Sequence, residues 1–168
     1  RWVGTYASDM PENVALLERV YAQAAESGNV VLVGSSFGCR VVCAFLARSS
    51  VRGAILVSYP LYGPSSHDDR APLLWSLPPH VRLLFISGEK DDCLCRTKGG
   101  TAWRSPDAPT GIAALRNVLS RAPCARNTTI LPVQSTSHDV FRLYKRRRCV
   151  CFWTVLTAAQ TRRMPRRR

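Results

Sequence analysis

The run Gly34-Ser35-Ser36-Phe37-Gly38 sets a serine midway between two glycines. That spacing serves nucleophilic catalysis when a buried strand leads into it and a helix leads out. The serine then sits on a sharp, strained turn, and small residues on either side let strand and helix pass closely. Ser36 would aim its hydroxyl beyond the strand ends. The Phe37 N–H, at the start of the helix, would receive a developing oxyanion. Such a serine needs a base, and the base needs an orienting acid. "LLFISGEKDD" supplies the acid after a later strand, with Asp91 preferred, Asp92 second and Glu89 third. "TTILPVQSTSHD" then brings His138 into a loop after the next strand, whereas His67 and His80 lie among prolines and fit less well. Taken singly, each of these is an ordinary cap, loop acid or surface histidine. Jointly, Ser36, Asp91 and His138 read as attack on an acyl carbonyl, with His138 moving the proton and Asp91 holding the imidazole.

The elements that must position these residues alternate along the chain. Glu12 to Ser27 repeats Val14, Leu17, Val20, Tyr21 and Ala24 at helical spacing, and Gly28-Asn29 closes the helix. Val30 to Val33 is a short β-branched run that predicts a parallel strand covered on both faces. A helix is expected over Arg40 to Arg48, then a strand over Gly53 to Ser58. Pro60, Gly63 and Pro64 forbid regular structure in the stretch that follows. Further strands are expected at Val81 to Ser87 and Thr128 to Val133, with a helix from Gly111 to Ala122 between them. The tail from Val140 to about Arg163 reads as a closing helix with an apolar stripe of Val150, Trp153 and Leu156. The fold class is therefore α/β, a mostly parallel sheet with crossover helices. Residues 1–144 are expected to form a single domain, and residues 145–168 a basic helix and tail. Tyr62 and Trp75 are candidates to line the site, although packing of their own loop is the plainer role.

Composition bounds the rest. A chain of 168 residues, 46% hydrophobic, is long enough for one domain with a real core. No apolar run approaches the roughly 20 residues that cross a bilayer, so no membrane span is expected. The start at Arg1 shows no charged leader followed by an apolar stretch, so no signal peptide is expected. Of the net charge of +13, nine basic residues lie from Lys145 onward with no acid among them. This tail suits weak contact with a polyanion or a protein, and fits a nuclear address on an otherwise cytoplasmic protein. Seven cysteines is an odd number for a disulfide framework, and the Cys93/Cys95 and Cys149/Cys151 pairs lack the usual zinc spacing. Reduced thiols are expected, with no metal and no cofactor.

Several stretches carry a family resemblance: "VVLVGSSFGCRVVC", "GAILVSYPLYGP", "LLFISGEKDD" and "SHDVF". Over roughly Val14 to Phe141 the chain resembles the dienelactone-hydrolase-like branch of the α/β-hydrolases. Within that branch it is similar to the testis-expressed α/β-hydrolase-like family. "SYPL" is the most family-specific element, because catalysis does not demand it, and Arg70 and Leu77-Pro78 stand where that family has an arginine and a Leu-Pro. The resemblance implies a partial α/β-hydrolase fold whose N-terminal strands, and the loop giving a second oxyanion donor, lie upstream. It also implies a serine hydrolase acting on a small-molecule acyl substrate, an ester, thioester or amide. Some relatives lack the triad and serve as interaction scaffolds, so an inactive scaffold for protein or nucleic acid is the alternative.

Overall fold

A computed structural model of the chain describes residues 2–3, 10–26, 29–62, 70–91, 94, 111–136 and 153–157. The elements run β1 (Trp2–Val3), α1 (Met10–Ala25), β2 (Val30–Ser35), α2 (Phe37–Leu46), β3 (Gly53–Val57), α3 (Ala71–Trp75), β4 (Arg82–Lys90), α4 (Gly111–Leu119), β5 (Thr128–Thr136) and β6 (Trp153–Thr157). They build one six-stranded sheet in the order β1-β6-β2-β3-β4-β5. Strands β2 to β5 are mutually parallel, so the α/β, mostly parallel architecture expected from the sequence is what forms.

Strand order follows chain order from β2 to β5, and this has a consequence for the helices. Right-handed crossovers that always step in one direction deposit every helix on the same face. Accordingly α1 packs on α2, α2 on α3, and α3 on α4, as a single layer. The strand residues under that layer alternate: Leu32, Ala54 and Leu83 form one cross-strand row, and Gly34, Leu56 and Phe85 the next. All six are buried, and all but Gly34 belong to the core with Leu17, Val42, Phe45, Leu46, Leu74 and Leu115. Each large side chain fully buried there contributes roughly 1.5–3 kcal/mol. The other sheet face is covered less. Val33, Ile55, Leu84 and Ile86 are half-buried and Val31 is exposed, so the expectation that β2 is covered on both faces holds for one face only.

The tail departs furthest from the expected pattern. The closing helix expected over residues 140–163, and the helix assigned to residues 145–168, give way at Trp153–Thr157 to strand β6. It pairs antiparallel with β2, Val30 opposite Thr157 and Gly34 opposite Trp153, and antiparallel with β1 on its far side. An apolar, β-branched run beside an unpaired edge of a sheet is drawn into the ladder, where its backbone groups are satisfied. Smaller differences are local. Helix α2 starts at Phe37 rather than Arg40. Strand β4 runs on through Gly88 to Lys90, because β5 continues beside it past a register shift between Gly88 and Lys90. The prolines of the β3–β4 connection do not exclude a helix: Pro72 occupies the first turn of α3, where its missing N–H costs nothing.

Candidate functional site

Ser36 is the pivot between β2 and α2. Its φ of 52° and ψ of −120° place an L-residue in the left-handed half of conformational space, at a cost of order 1–3 kcal/mol. Two backbone hydrogen bonds hold it there: the Ser36 N–H donates to the Val57 carbonyl at 3.0 Å, and the Ser36 carbonyl accepts from the Cys39 N–H at 3.0 Å. The first continues the β2–β3 ladder one residue past β2, and the second opens α2. Ser36 is thus the N-cap of α2, a position where a serine hydroxyl usually accepts a bond from the first turn. Here the side chain makes no such bond, so the hydroxyl is not spent on the helix. Phe37 is the first helical residue, and its N–H has no acceptor within α2. The Arg40 guanidinium carbon lies 5.6 Å from the centroid of the Phe37 ring, one turn along.

The glycines explain how the turn can be this tight. A Cβ on Gly34 would stand 2.7 Å from the Gly38 carbonyl oxygen and 2.8 Å from both the Cα and the N of Cys39. These are backbone atoms and cannot swing aside. Gly34 is therefore required by the close passage of α2 over the end of β2, and Gly38 is the buried residue it passes. Behind the turn the Cys39 thiol donates to the Val57 carbonyl at 3.2 Å, so β3 is bound to both the turn and the helix.

Asp91 follows β4, two strands away from β2 at the same, C-terminal edge of the parallel sheet. Two strand spacings are roughly 10 Å, a gap that a third side chain can bridge. Asp91 is only 2% exposed. Its backbone is fixed on both sides: the Asp91 N–H donates to the Gly88 carbonyl at 3.2 Å, and its carbonyl accepts from the Leu94 N–H at 3.0 Å. Glu89, by contrast, is an exposed residue within β4, and Asp92 lies outside the described residues.

His138 and His67 also lie outside the described residues. His80 is exposed in the turn before β4, at the N-terminal end of the parallel strands, and so sits at the edge opposite Ser36. Strand β5 carries the chain toward His138, and its last residue, Thr136, pairs with Lys90, the neighbour of Asp91.

The "SYPL" stretch has a structural role. Tyr59 is fully buried, stacks edge-on against Phe85 at 6.0 Å, and donates its hydroxyl to the Arg70 carbonyl at 3.0 Å. Arg70 returns two bonds, from Nη1 to the Pro60 carbonyl at 3.2 Å and from its N–H to the Leu61 carbonyl at 3.1 Å. Burial pushes the Tyr59 hydroxyl well above its ordinary range, helped by the nearby Cys43 and Cys39 thiols. Trp75 donates Nε1–H to the Val118 carbonyl at 3.1 Å, joining α3 to α4 rather than facing Ser36. Tyr62 is half-buried and packs against the core. Among the described residues Cys39, Cys43 and Cys124 are buried thiols that form no disulfide. Among the described residues no group of three or more His, Cys, Asp or Glu could hold a metal ion. No helix among them is long and apolar enough to cross a membrane.

Residues 6–109 match the alpha/beta hydrolase domain family, more than half of the chain, and the protein belongs to that family. The matched span includes Ser36 and Asp91 and ends before His138. No curated protein and no solved structure gives a significant match.

Proposed function

We propose that this α/β-hydrolase domain is a serine hydrolase of small esters, thioesters or amides, related to the dienelactone-hydrolase-like branch and its testis-expressed α/β-hydrolase-like members. The observation that carries the reading is Ser36: a strained serine on a strand-to-helix turn, at an N-cap, whose hydroxyl does not cap. The strain costs stability that the side chain does not repay by capping the helix, and strain of this kind collects at reacting groups. Ser36 attacks the substrate carbonyl, and the Phe37 N–H receives charge on the oxygen. His138 takes the serine proton and returns it to the leaving group, while buried Asp91 orients the imidazole and stabilises its charged form. One residue, Ser137, separates His138 from Thr136, so two steps of chain, a reach of at most about 7 Å, link it to the strand position paired beside Asp91. That connectivity supports His138 over His80 as the base.

Hydrolysis of short-chain p-nitrophenyl esters tests this mechanism. Ser36→Ala and His138→Ala should each fall to background, and Asp91→Asn should retain a small residue of activity. Equal activity in the parent and Ser36→Ala would remove the proposal. A folded parent with no activity on any acyl substrate would favour the scaffold reading. The arginine-rich tail supports a second, separable role, weak contact with polyanions or acidic proteins. Binding to a generic single- or double-stranded oligonucleotide should then fall steeply with salt and weaken when residues 158–168, which hold five of the tail's nine basic residues, are removed.

A further inference from the structure

The residue level with Ser36 on the next strand is also strained. Ser58 has φ 51°, and it and Ser36 are the positive-φ non-glycine residues among those described. The Ser58 N–H donates to the Ile86 carbonyl at 2.8 Å, as the Ser36 N–H does to Val57. In a parallel ladder this pattern sets Ser36 opposite Ser58 and Ser58 opposite Ser87. Three serines therefore stand in one row, Ser36 and Ser58 just past β2 and β3 and Ser87 on β4, four residues before Asp91. Ser58 is 4% exposed and Ser87 1% exposed. Both hydroxyl oxygens are buried without a hydrogen-bond partner among the described residues.

Each feature is costly by itself. A serine at positive φ is strained where glycine would be relaxed, and an unsatisfied buried hydroxyl costs about 1–3 kcal/mol. Orphaned hydroxyls side by side on paired strands are accounted for when they share a polar ligand small enough for a buried site. We propose that Ser58 and Ser87 are a positioning pair whose hydroxyls together hold one internal water between the Ser36 turn and the Asp91 loop. The water ties the turn after β3 to β4, and so fixes the separation that the base must span. This inference rests on the hydrolase reading of Ser36.

The experiment compares the rate of fluorophosphonate labelling and the thermal midpoint in the parent, Ser58→Gly, Ser87→Ala and Ser87→Thr, with a crystal structure of the parent. Ser58→Gly removes the hydroxyl and relieves the strain together. It should label up to about a hundredfold more slowly, the scale of a small misplacement of reacting groups, while melting no lower than the parent. Ser87→Ala should also label slowly, and Ser87→Thr, which keeps the hydroxyl, should label faster than Ser87→Ala. The crystal structure should show one water within hydrogen-bond distance of both oxygens. Parent-like labelling of Ser58→Gly and Ser87→Ala would overturn the positioning role and leave the hydrolase reading intact. So would rates that fall only in step with lost stability, or hydroxyls bonded to protein groups with no shared water. A parent that does not label would remove the hydrolase reading and this inference with it.

Discussion

At Ser36 and its neighbours, the same side chains that limit stability create the opportunity for chemistry. The turn depends on Gly34 more directly than on Gly38, because a Gly34 Cβ meets backbone atoms of Gly38 and Cys39 at 2.7–2.8 Å. Gly34→Ala should destabilise the protein by about 1–3 kcal/mol in urea denaturation. The control is Gly53→Ala, whose Cβ would find only the Arg82 carbonyl oxygen, at 3.8 Å, and which should be mild. Comparable effects of the two would show that the turn is not tightly packed. The buried thiols lead to a second expectation. Burial, and next the neighbouring Cys124, push the Cys43 thiol far above its ordinary value of 9.0, and burial likewise raises Tyr59. Their folded pKa values exceed the unfolded ones, so stability is full below about pH 8 and declines once unfolded thiols ionise. Each such group takes away up to about 1.4 kcal/mol per pH unit. Denaturation midpoints should be flat through neutrality and fall above roughly pH 9, and Cys43→Ala should lessen the fall. A Cys43→Ala curve parallel to the parent would contradict this assignment.

Secondary-structure elements were legible where their pattern is local. The helical spacing of Val14, Leu17 and Tyr21, the β-branched runs of β2 and β3, and the strand–glycine–acid order leading to Asp91 all carry their structure within a dozen residues. This is why the Ser36 turn and the Asp91 loop could be located from sequence. The features that escaped depend on distant partners. Nothing local distinguishes Trp153–Thr157 as strand from the same residues as helix; the deciding factor is the open edge of β2, more than a hundred residues earlier. The extension of β4 through Gly88 likewise follows from the length of β5, and the strain at Ser58 from its bond to Ile86. Truncation tests the strand directly. Deleting residues 165–168 should leave thermal stability unchanged, whereas deleting residues 153–168 uncovers the five paired positions from Val30 to Gly34. At roughly 0.5–1.5 kcal/mol per lost hydrogen bond, that deletion should cost at least about 2 kcal/mol and promote association through the bared edge. Equal stability of the two truncations would show that β6 contributes nothing to the sheet.

On the scale of the whole molecule, one topological fact organises the site. Four parallel strands stepping in one direction put every crossover helix on one face and every strand-to-helix turn at one edge. Ser36, Ser58 and Asp91 gather at that edge, while His80 is carried to the other. Membership of the alpha/beta hydrolase family agrees with this arrangement. The central claim is that Ser36 is the nucleophile, and covalent labelling tests it most directly. The purified protein is treated with a fluorophosphonate, digested, and the adduct located by mass spectrometry. The expected result is one phosphonylated residue, Ser36, with labelling abolished in a Ser36→Ala variant that melts like the parent. An adduct on Ser35, Ser58 or another residue, or undiminished labelling of Ser36→Ala, would contradict the account.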